Sequence, residues 1–378
     1  MLHSHESGIS AVTAGTVATR DVRDRQTISR MDGKKFLLVK GRAGFGNRML
    51  SALTGIAYAR LTDRKLLVDW SDDLYSVDGS NVFHRFFQCS LYSPTDDIPA
   101  TDSVRPSIWR GHLRESCIAM QKRNAPDTTG RSWWELSSID LTKLDYPEDV
   151  VVMWTVVEKV DLFRNHLSAT FREFEGATKQ AILTTLLREH LILQPEIRRR
   201  VAHFKGNHFG KATVGVHVRY SDHRTHLWAI LKALNTLLKR EPNLQIFLST
   251  DNIAVKEMFE ESYPTVITTP HWYPPPGLSL TQTWARPIRA EQGIEALVDL
   301  YLLAECEYLI IDTSSSFSYV ASHLTRAPRS HIFNVKRRGK RRAKQRRLMW
   351  RLWRKLGLFT WGLRVMRMAV KMQRFYSQ

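Results

Sequence analysis

The sequence predicts an α/β protein with two Rossmann-like domains facing a cleft, followed by a basic amphipathic C-terminal helix. Three observations carry this. Short apolar runs alternate with helix-period segments in both halves of the chain, charged and hydroxyl side chains gather where those runs end, and the basic charge is concentrated after residue 335. Alternation of this kind with short connections implies parallel sheets covered by helices.

Residues 1–33 have no continuous apolar core and read as a disordered leader rather than a signal peptide, with Met31 as an alternative start. The first domain is assigned to residues 34–205. "KFLLVKGRAGFGNRMLSALTGIAYARLTDRKLLVDW" predicts a strand at Phe36–Val39, a turn at Gly41–Gly46, a helix at Met49–Leu61 and a strand at Leu66–Trp70, a βαβ unit. Residues 71–148 are rich in Asp, Pro, Ser and Trp with weak periodicity, and are expected to form loops and short helices on an acceptor side. "DVVVMWTV" (Asp149–Val156) predicts a further buried strand, and "ATKQAILTTLLREHLILQPEIRRRVAHF" one helical stretch closing the domain.

The second domain is assigned to residues 206–335. Strands are predicted at Ala212–Val218, Leu244–Ser249, Val266–Thr268, Tyr308–Ile311 and His331–Val335, with helices at Leu227–Lys239, Ile253–Glu261, Gln292–Glu305 and Phe317–Leu324. Open parallel sheets bind ligands at the carboxyl ends of their strands. The residues that close each strand are therefore the candidates.

Of 378 residues, 43% are hydrophobic, enough for two cores. Cys89, Cys117 and Cys306 are far apart and odd in number, so a reducing, cytoplasmic compartment and no structural zinc are expected. The net charge of +19 is misleading. Residues 336–378 hold 16 of the 56 Lys and Arg and no acid, leaving 40 basic against 37 acidic residues elsewhere. The body is nearly neutral, and no nucleic-acid partner is expected. No apolar window of about 18 residues predicts a membrane span.

Three strand ends offer polar groups to one rim: "HVRYSDH", "STDN" and "DTSSSFSY". Arg219 presents a planar fork suited to a diphosphate. Ser314, Ser315 and Ser316 precede a helix, where phosphates bind well, although such a run is by itself an ordinary N-cap. Asp251 suits a base or ribose hydroxyl. Asp299 lies in an otherwise apolar helix and needs either an ion-pair partner or a ligand. The loop "GRAGFGNRM" fits neither a dinucleotide fingerprint nor a P-loop. It is either a tight turn or a place where Gly44 and Gly46 let backbone approach a ligand while Asn47 and Arg48 face the cleft. No metal-ligand spacing or acyl-transfer elbow is present, and no metal cofactor is expected.

"GFGNRMLSALTGIAYARLTDRKLLVDW", "GVHVRYSDH", "FLSTDN" and "GIEALVDLYLLAECEYLIIDTSSSFSYVASHL" together resemble the rhizobial nodulation fucosyltransferases (nodulation protein Z) and, more distantly, the animal α-1,6-fucosyltransferases, over roughly residues 35–335. The resemblance implies a B-type glycosyltransferase, inverting and metal-independent, with GDP-fucose held mainly by the second domain. It implies that His217 and Arg219 belong to the first motif, Arg219 contacting the diphosphate. Asp222 occupies an acidic position of that motif, Asp251 falls in the guanosine segment, and Asp299 and Ser314–Ser316 fall in the last motif. The family's second basic residue is here Tyr220, its lysine is His223, and the glutamate of the animal enzymes is Leu227. Asp222, His223 and His226 are then the candidate general bases.

The expected function is transfer of fucose from GDP-fucose to a glycan or lipid-linked oligosaccharide. The alternatives are a same-fold transferase using another nucleotide sugar, or an inactive glycan- or lipid-binding relative. In the tail 336–378, Met349, Leu352, Trp353, Leu356, Phe359, Leu363, Met366 and Val370 step by three or four among basic residues, the pattern of an in-plane anchor on anionic membrane. A helix packed on the first domain and a nucleic-acid arm are the competing readings of that tail.

Overall fold

The computed structural model of the chain describes residues 34–92, 97–124, 133–221, 225–275 and 289–336. The leader and the amphipathic tail lie outside the described residues.

The first half runs β1 (Phe36–Lys40), α1 (Phe45–Leu61), β2 (Lys65–Asp69), α2 (Phe83–Phe86), β3 (Phe87–Gln88), β4 (Val104–Arg105), α3 (Cys117–Asn124), α4 (Trp133–Ser137), β5 (Val150–Met153), α5 (Arg164–Thr170), α6 (Lys179–His190), β6 (Ile192–Leu193) and α7 (Pro195–His208). The second runs β7 (Thr213–Val218), α8 (Leu227–Arg240), β8 (Gln245–Thr250), α9 (Ile253–Ser262), β9 (Val266–Ile267), α10 (Arg289–Ala304), β10 (Tyr308–Ile311), α11 (Ser316–Leu324) and β11 (Ile332–Asn334).

Two parallel sheets result, ordered β2-β1-β5-β4 and β11-β10-β7-β8-β9, with β3 and β6 forming an antiparallel ribbon. The central strands of the two sheets alternate between two cores. Leu37 and Val39 join the central core and Phe36 and Leu38 an outer one, while Leu309 and Ile311 are central and Ile310 is outer. Burial on both faces is why these strands read as unbroken apolar runs. The central core takes residues from α1, α6, α7, α10 and α11, so both sheets share it.

The helical stretch expected between residues 177 and 204 is two helices. Pro195 lacks an N–H and sits at the start of α7, and Ile192–Leu193 pairs with Phe87–Gln88. Proline is tolerated there because the first N–H groups of a helix have no internal acceptor. Residue 205 lies inside α7, which packs on α10 and brings Phe204 within 6.0 Å of the Phe247 ring.

The rim of the first sheet is braced by buried charge. Lys40 Nζ lies 2.5 Å from Asp69 and also donates to the carbonyls of Leu113 (2.5 Å) and Glu115 (2.8 Å). With 1% and 5% of their side chains exposed, neither charge is solvated, so the pair and its extra hydrogen bonds stand in for water.

Candidate functional site

The carboxyl ends of both sheets open on one cleft. From the first half it is lined by Gly44, Phe45, Gly46 and Tyr75. From the second half come His217, Arg219 and Ser221 after β7, and Ser249, Thr250 and Asp251 at the end of β8. His271 and Trp272 follow β9, and Ser316 and Phe317 open α11. α10 contributes Gln292, Glu295, Ala296 and Asp299, whose spacing places them on one helical face.

The close approach of α1 to α11 shapes the cleft. A Cβ on Gly46 would stand 2.6 Å from the Ser316 carbonyl carbon and 2.7 Å from the Phe317 nitrogen. Gly46 thus provides close approach to the protein's own backbone. Ser316 Oγ donates to Asn47 Oδ1 (2.6 Å) and Asn47 Nδ2 donates to the Val156 carbonyl (2.7 Å), so Asn47 ties α11 to the first sheet. The loop holds Ala43 at φ 61°, a left-handed conformation that costs a residue with a Cβ roughly 1–2 kcal/mol. Its carbonyl accepts from Arg48 Nε at 2.9 Å.

Arg48 does not face the cleft as expected. It is fully buried, its Nη2 lies 2.7 and 2.5 Å from the two oxygens of Asp72, and its guanidinium lies 4.9 Å from the Tyr75 ring. It braces Tyr75 from behind. Burial pushes the Tyr75 phenol up to about 12, opposed by Arg48 and by Arg219, which approaches Tyr75 across the cleft.

On the other wall, His217 Nδ1 lies 2.6 Å from Ser318 Oγ and the ring stacks on Phe317 with centroids 4.9 Å apart. The Arg219 backbone is fixed by Thr225: its N–H donates to Thr225 Oγ1 (3.0 Å) and its carbonyl accepts from the Thr225 N–H (2.9 Å). Asp251 was expected to receive a ligand hydroxyl. Its Oδ1 accepts from the N–H groups of Tyr220 (2.6 Å) and Ser221 (3.2 Å), and its Oδ2 from the Ser221 hydroxyl. It therefore clamps the loop that carries Arg219.

α11 begins without a side-chain cap, although Ser315 holds the N-cap position. The three serines divide. Ser314 Oγ donates to Asp312 (2.6 Å), Ser316 Oγ to Asn47, and Ser315 Oγ is buried with no partner among the described residues. An N-cap serine ordinarily satisfies a first-turn N–H. Here that service is withheld, leaving a hydroxyl and first-turn amides at the positive end of a helix dipole.

Of the candidate bases, Asp222 and His223 lie outside the described residues. His226 is the N-cap of α8, and its Nδ1 accepts from the Ala229 N–H at 3.1 Å. That bond engages the Nδ1 lone pair, so the ring serves as the cap of α8 in this arrangement. Tyr220 and Leu227 are 7% and 3% exposed and belong to the outer core of the second half, so neither position can hold a charged group over the cleft.

Sequence reasoning missed Tyr75, His271, Trp272, Gln292 and Glu295. Gln292 and Glu295 were detectable, seven and four residues before Asp299 on its helical face, and His271 follows a strand end. Tyr75 sits in an unpatterned stretch and gave no signal. Among the described residues, no three His, Cys, Asp or Glu side chains could together hold a metal ion.

The family model for nodulation protein Z matches residues 182–343. Nodulation protein Z of Bradyrhizobium diazoefficiens is 24% identical over 317 residues, covering 76% of this chain and 78% of that protein. The crystal structure of a NodZ alpha-1,6-fucosyltransferase soaked with GDP-fucose superposes with a TM-score of 0.50 at 20% identity, covering 77% and 93% of the two chains. A point mutant of Arabidopsis thaliana FUT1 in complex with GDP superposes with a TM-score of 0.52 at 18% identity, covering 84% and 75%. The likeness to these structures is one of fold.

Proposed function

We propose that this chain, which resembles nodulation protein Z over most of its length, is a fucosyltransferase that moves fucose from GDP-fucose to a glycan. The observation that carries the reading is the cleft itself. It is lined by Arg219 after β7 and by Ser316 and Phe317 at the N-terminus of α11, a helix that begins without a side-chain cap. A diphosphate suits an arginine fork and the positive end of a helix dipole set in one cleft.

The reaction is an inverting displacement that uses no metal ion. The acceptor oxygen bonds to the anomeric carbon while the bond from that carbon to the β-phosphate oxygen breaks, its electron pair going to the diphosphate. An oxocarbenium-like transition state places growing charge on the leaving group. Arg219 and the start of α11 stabilise that charge, and His217, held by Ser318 and Phe317, lies beside them. The acceptor proton passes to Asp222 or His223, which follow Arg219 within four residues.

Release of GDP from a panel of nucleotide sugars tests the reading, with wild type and Arg219→Ala compared. GDP-fucose should be turned over, and the variant should lose about 10²- to 10³-fold in rate while unfolding at the wild-type temperature. Turnover of a different donor alone identifies the other-sugar transferase, no turnover of any donor identifies a binding relative, and near-normal turnover by the variant removes Arg219 from the mechanism.

No helix among the described residues is long and apolar enough to cross a membrane. The tail beyond Lys336 holds the enzyme on anionic lipid at the inner face of the cell membrane, near a glycolipid or membrane-proximal acceptor, because its basic and apolar residues segregate at helical spacing. Flotation with anionic liposomes, full chain against a chain ending at Val335, should show binding of the full chain only. Equal flotation refutes the anchor.

A further inference from the structure

A second cavity, of about 660 Å³, lies between α6, α11 and the strands β10 and β11, within the size range of small-ligand sites. Ser316, at the start of α11, belongs to the cleft, whereas Tyr319, Ser322 and His323, one to two turns further on, line this cavity. The two sites share that helix but no lining residue. Hydrogen bonds from Ser316 to Asn47 and from Tyr319 to Glu158 (3.4 Å) fasten the helix to the first half of the chain.

The lining is nearly free of charge. No acid contributes to it, and its one basic residue, Arg329, is exposed and donates to Gln180 Oε1 (3.3 Å). His323 is neutral near neutral pH, because burial pushes its ring down to about 4. The lining offers hydroxyl hydrogens instead. Thr178, Thr313 and Thr325 each accept an N–H at Oγ1, from Ala181 (3.2 Å), Asn334 Nδ2 (2.7 Å) and Ala327 (3.1 Å). Each hydroxyl keeps its own hydrogen to give, and none finds an acceptor for it among the described residues. The Thr185 hydroxyl has no hydrogen bond among them either. Beside these donors lie Ile311, Ile332 and the Tyr319 ring, which stands edge-on to His323 with centroids 4.7 Å apart.

We propose that this groove is a second carbohydrate site, separate from the cleft, that takes a neutral oligosaccharide. A pyranose joins an apolar C–H face to hydroxyls rich in lone pairs, and an aromatic ring beside unspent hydroxyl hydrogens complements both. A phosphate or sulfate calls for charged donors, and the groove has a single arginine at its rim. The site stands whether or not the cleft takes a nucleotide sugar.

Saturation-transfer NMR titration of the full chain tests this, using neutral tri- and tetrasaccharides of glucose, mannose and N-acetylhexosamine, each with and without excess GDP. Inorganic phosphate serves as the charged competitor. At least one oligosaccharide should bind with the same affinity whether GDP is present or not, and phosphate should not displace it. Ala181→Trp, which fills the cavity from an exposed position on α6, should abolish this binding. Thr185→Val removes only the hydroxyl and should weaken binding about three- to tenfold at an unchanged unfolding temperature. Displacement by GDP or by phosphate, full binding by Ala181→Trp, or no binding of any of these sugars would each overturn the site. Failure of GDP itself to bind would count against the nucleotide-sugar reading alone, which separates the two.

Discussion

Replacing Gly46 with alanine should cost both stability and turnover, through one clash. The added Cβ would lie 2.6 Å from the carbonyl carbon of Ser316, 2.7 Å from the nitrogen of Phe317 and 2.8 Å from Ser316 Oγ, where ordinary contact begins at 3.4 Å. Two of these atoms are backbone at the start of a helix packed into the central core, so no side chain can swing aside. α1 and α11 must part by roughly 0.7 Å. Overpacking of this kind costs about 1–3 kcal/mol, which for a protein of this size is about 2–4 °C of unfolding temperature per kcal/mol. The same displacement lengthens the Ser316–Asn47 hydrogen bond and moves the uncapped end of α11 away from where the proposed function seats the diphosphate. Misplacement approaching 1 Å costs on the order of 10²-fold in rate. Differential scanning fluorimetry and GDP-release kinetics on Gly46→Ala report the two effects. An unfolding temperature within 1 °C of wild type together with unchanged turnover would refute the packing argument and, with it, the role of α11 in positioning the leaving group.

Ser315→Ala should separate the two readouts. Its hydroxyl has no partner among the described residues, so thermal stability should hold or rise, while under the proposed function turnover should fall at least tenfold; wild-type turnover would leave the hydroxyl without a function. Lys40→Met strands the Asp69 carboxylate, 5% exposed, and should destabilise by about 3–5 kcal/mol in denaturant unfolding, a loss below 1 kcal/mol being inconsistent with a buried charge pair. His323 is pushed down to about 4 by burial. The native ring stays neutral while the unfolded ring takes a proton near 6.5, so the stability it contributes is present above about pH 6.5 and is lost as the pH falls toward 4. His323→Gln should therefore flatten the drop in unfolding temperature between about pH 7 and pH 4.5, and an equally steep drop in the variant would count against this cause.

The alternation of strands and helices was legible because two-sided burial imposes apolar runs such as "FLLVK" and "VVVM", and helices on a parallel sheet impose a 3.6-residue stripe. The break at Leu191–Gln194 was missed because the local pattern stays apolar through it. Only pairing with Phe87–Gln88, about a hundred residues earlier, reveals a strand there. Arg219, His217 and Asp299 were readable as strand-end or intrahelical polar groups, and the structure brings all three to one cleft. Sequence named Arg48, Asp251 and His226 by the same logic, and packing gave them other partners: Asp72, the loop at 220–221 and the first turn of α8.

The sequence by itself determined the architecture and the rim on which chemistry gathers, since periodicity and strand ends are local properties of the chain. Tertiary structure alone decided which polar groups remain available to a ligand. Availability is a count of partners, and partners such as Asn47 for Ser316, Asp72 for Arg48 and Thr269 between His271 and Asp299 come from segments that only folding brings together.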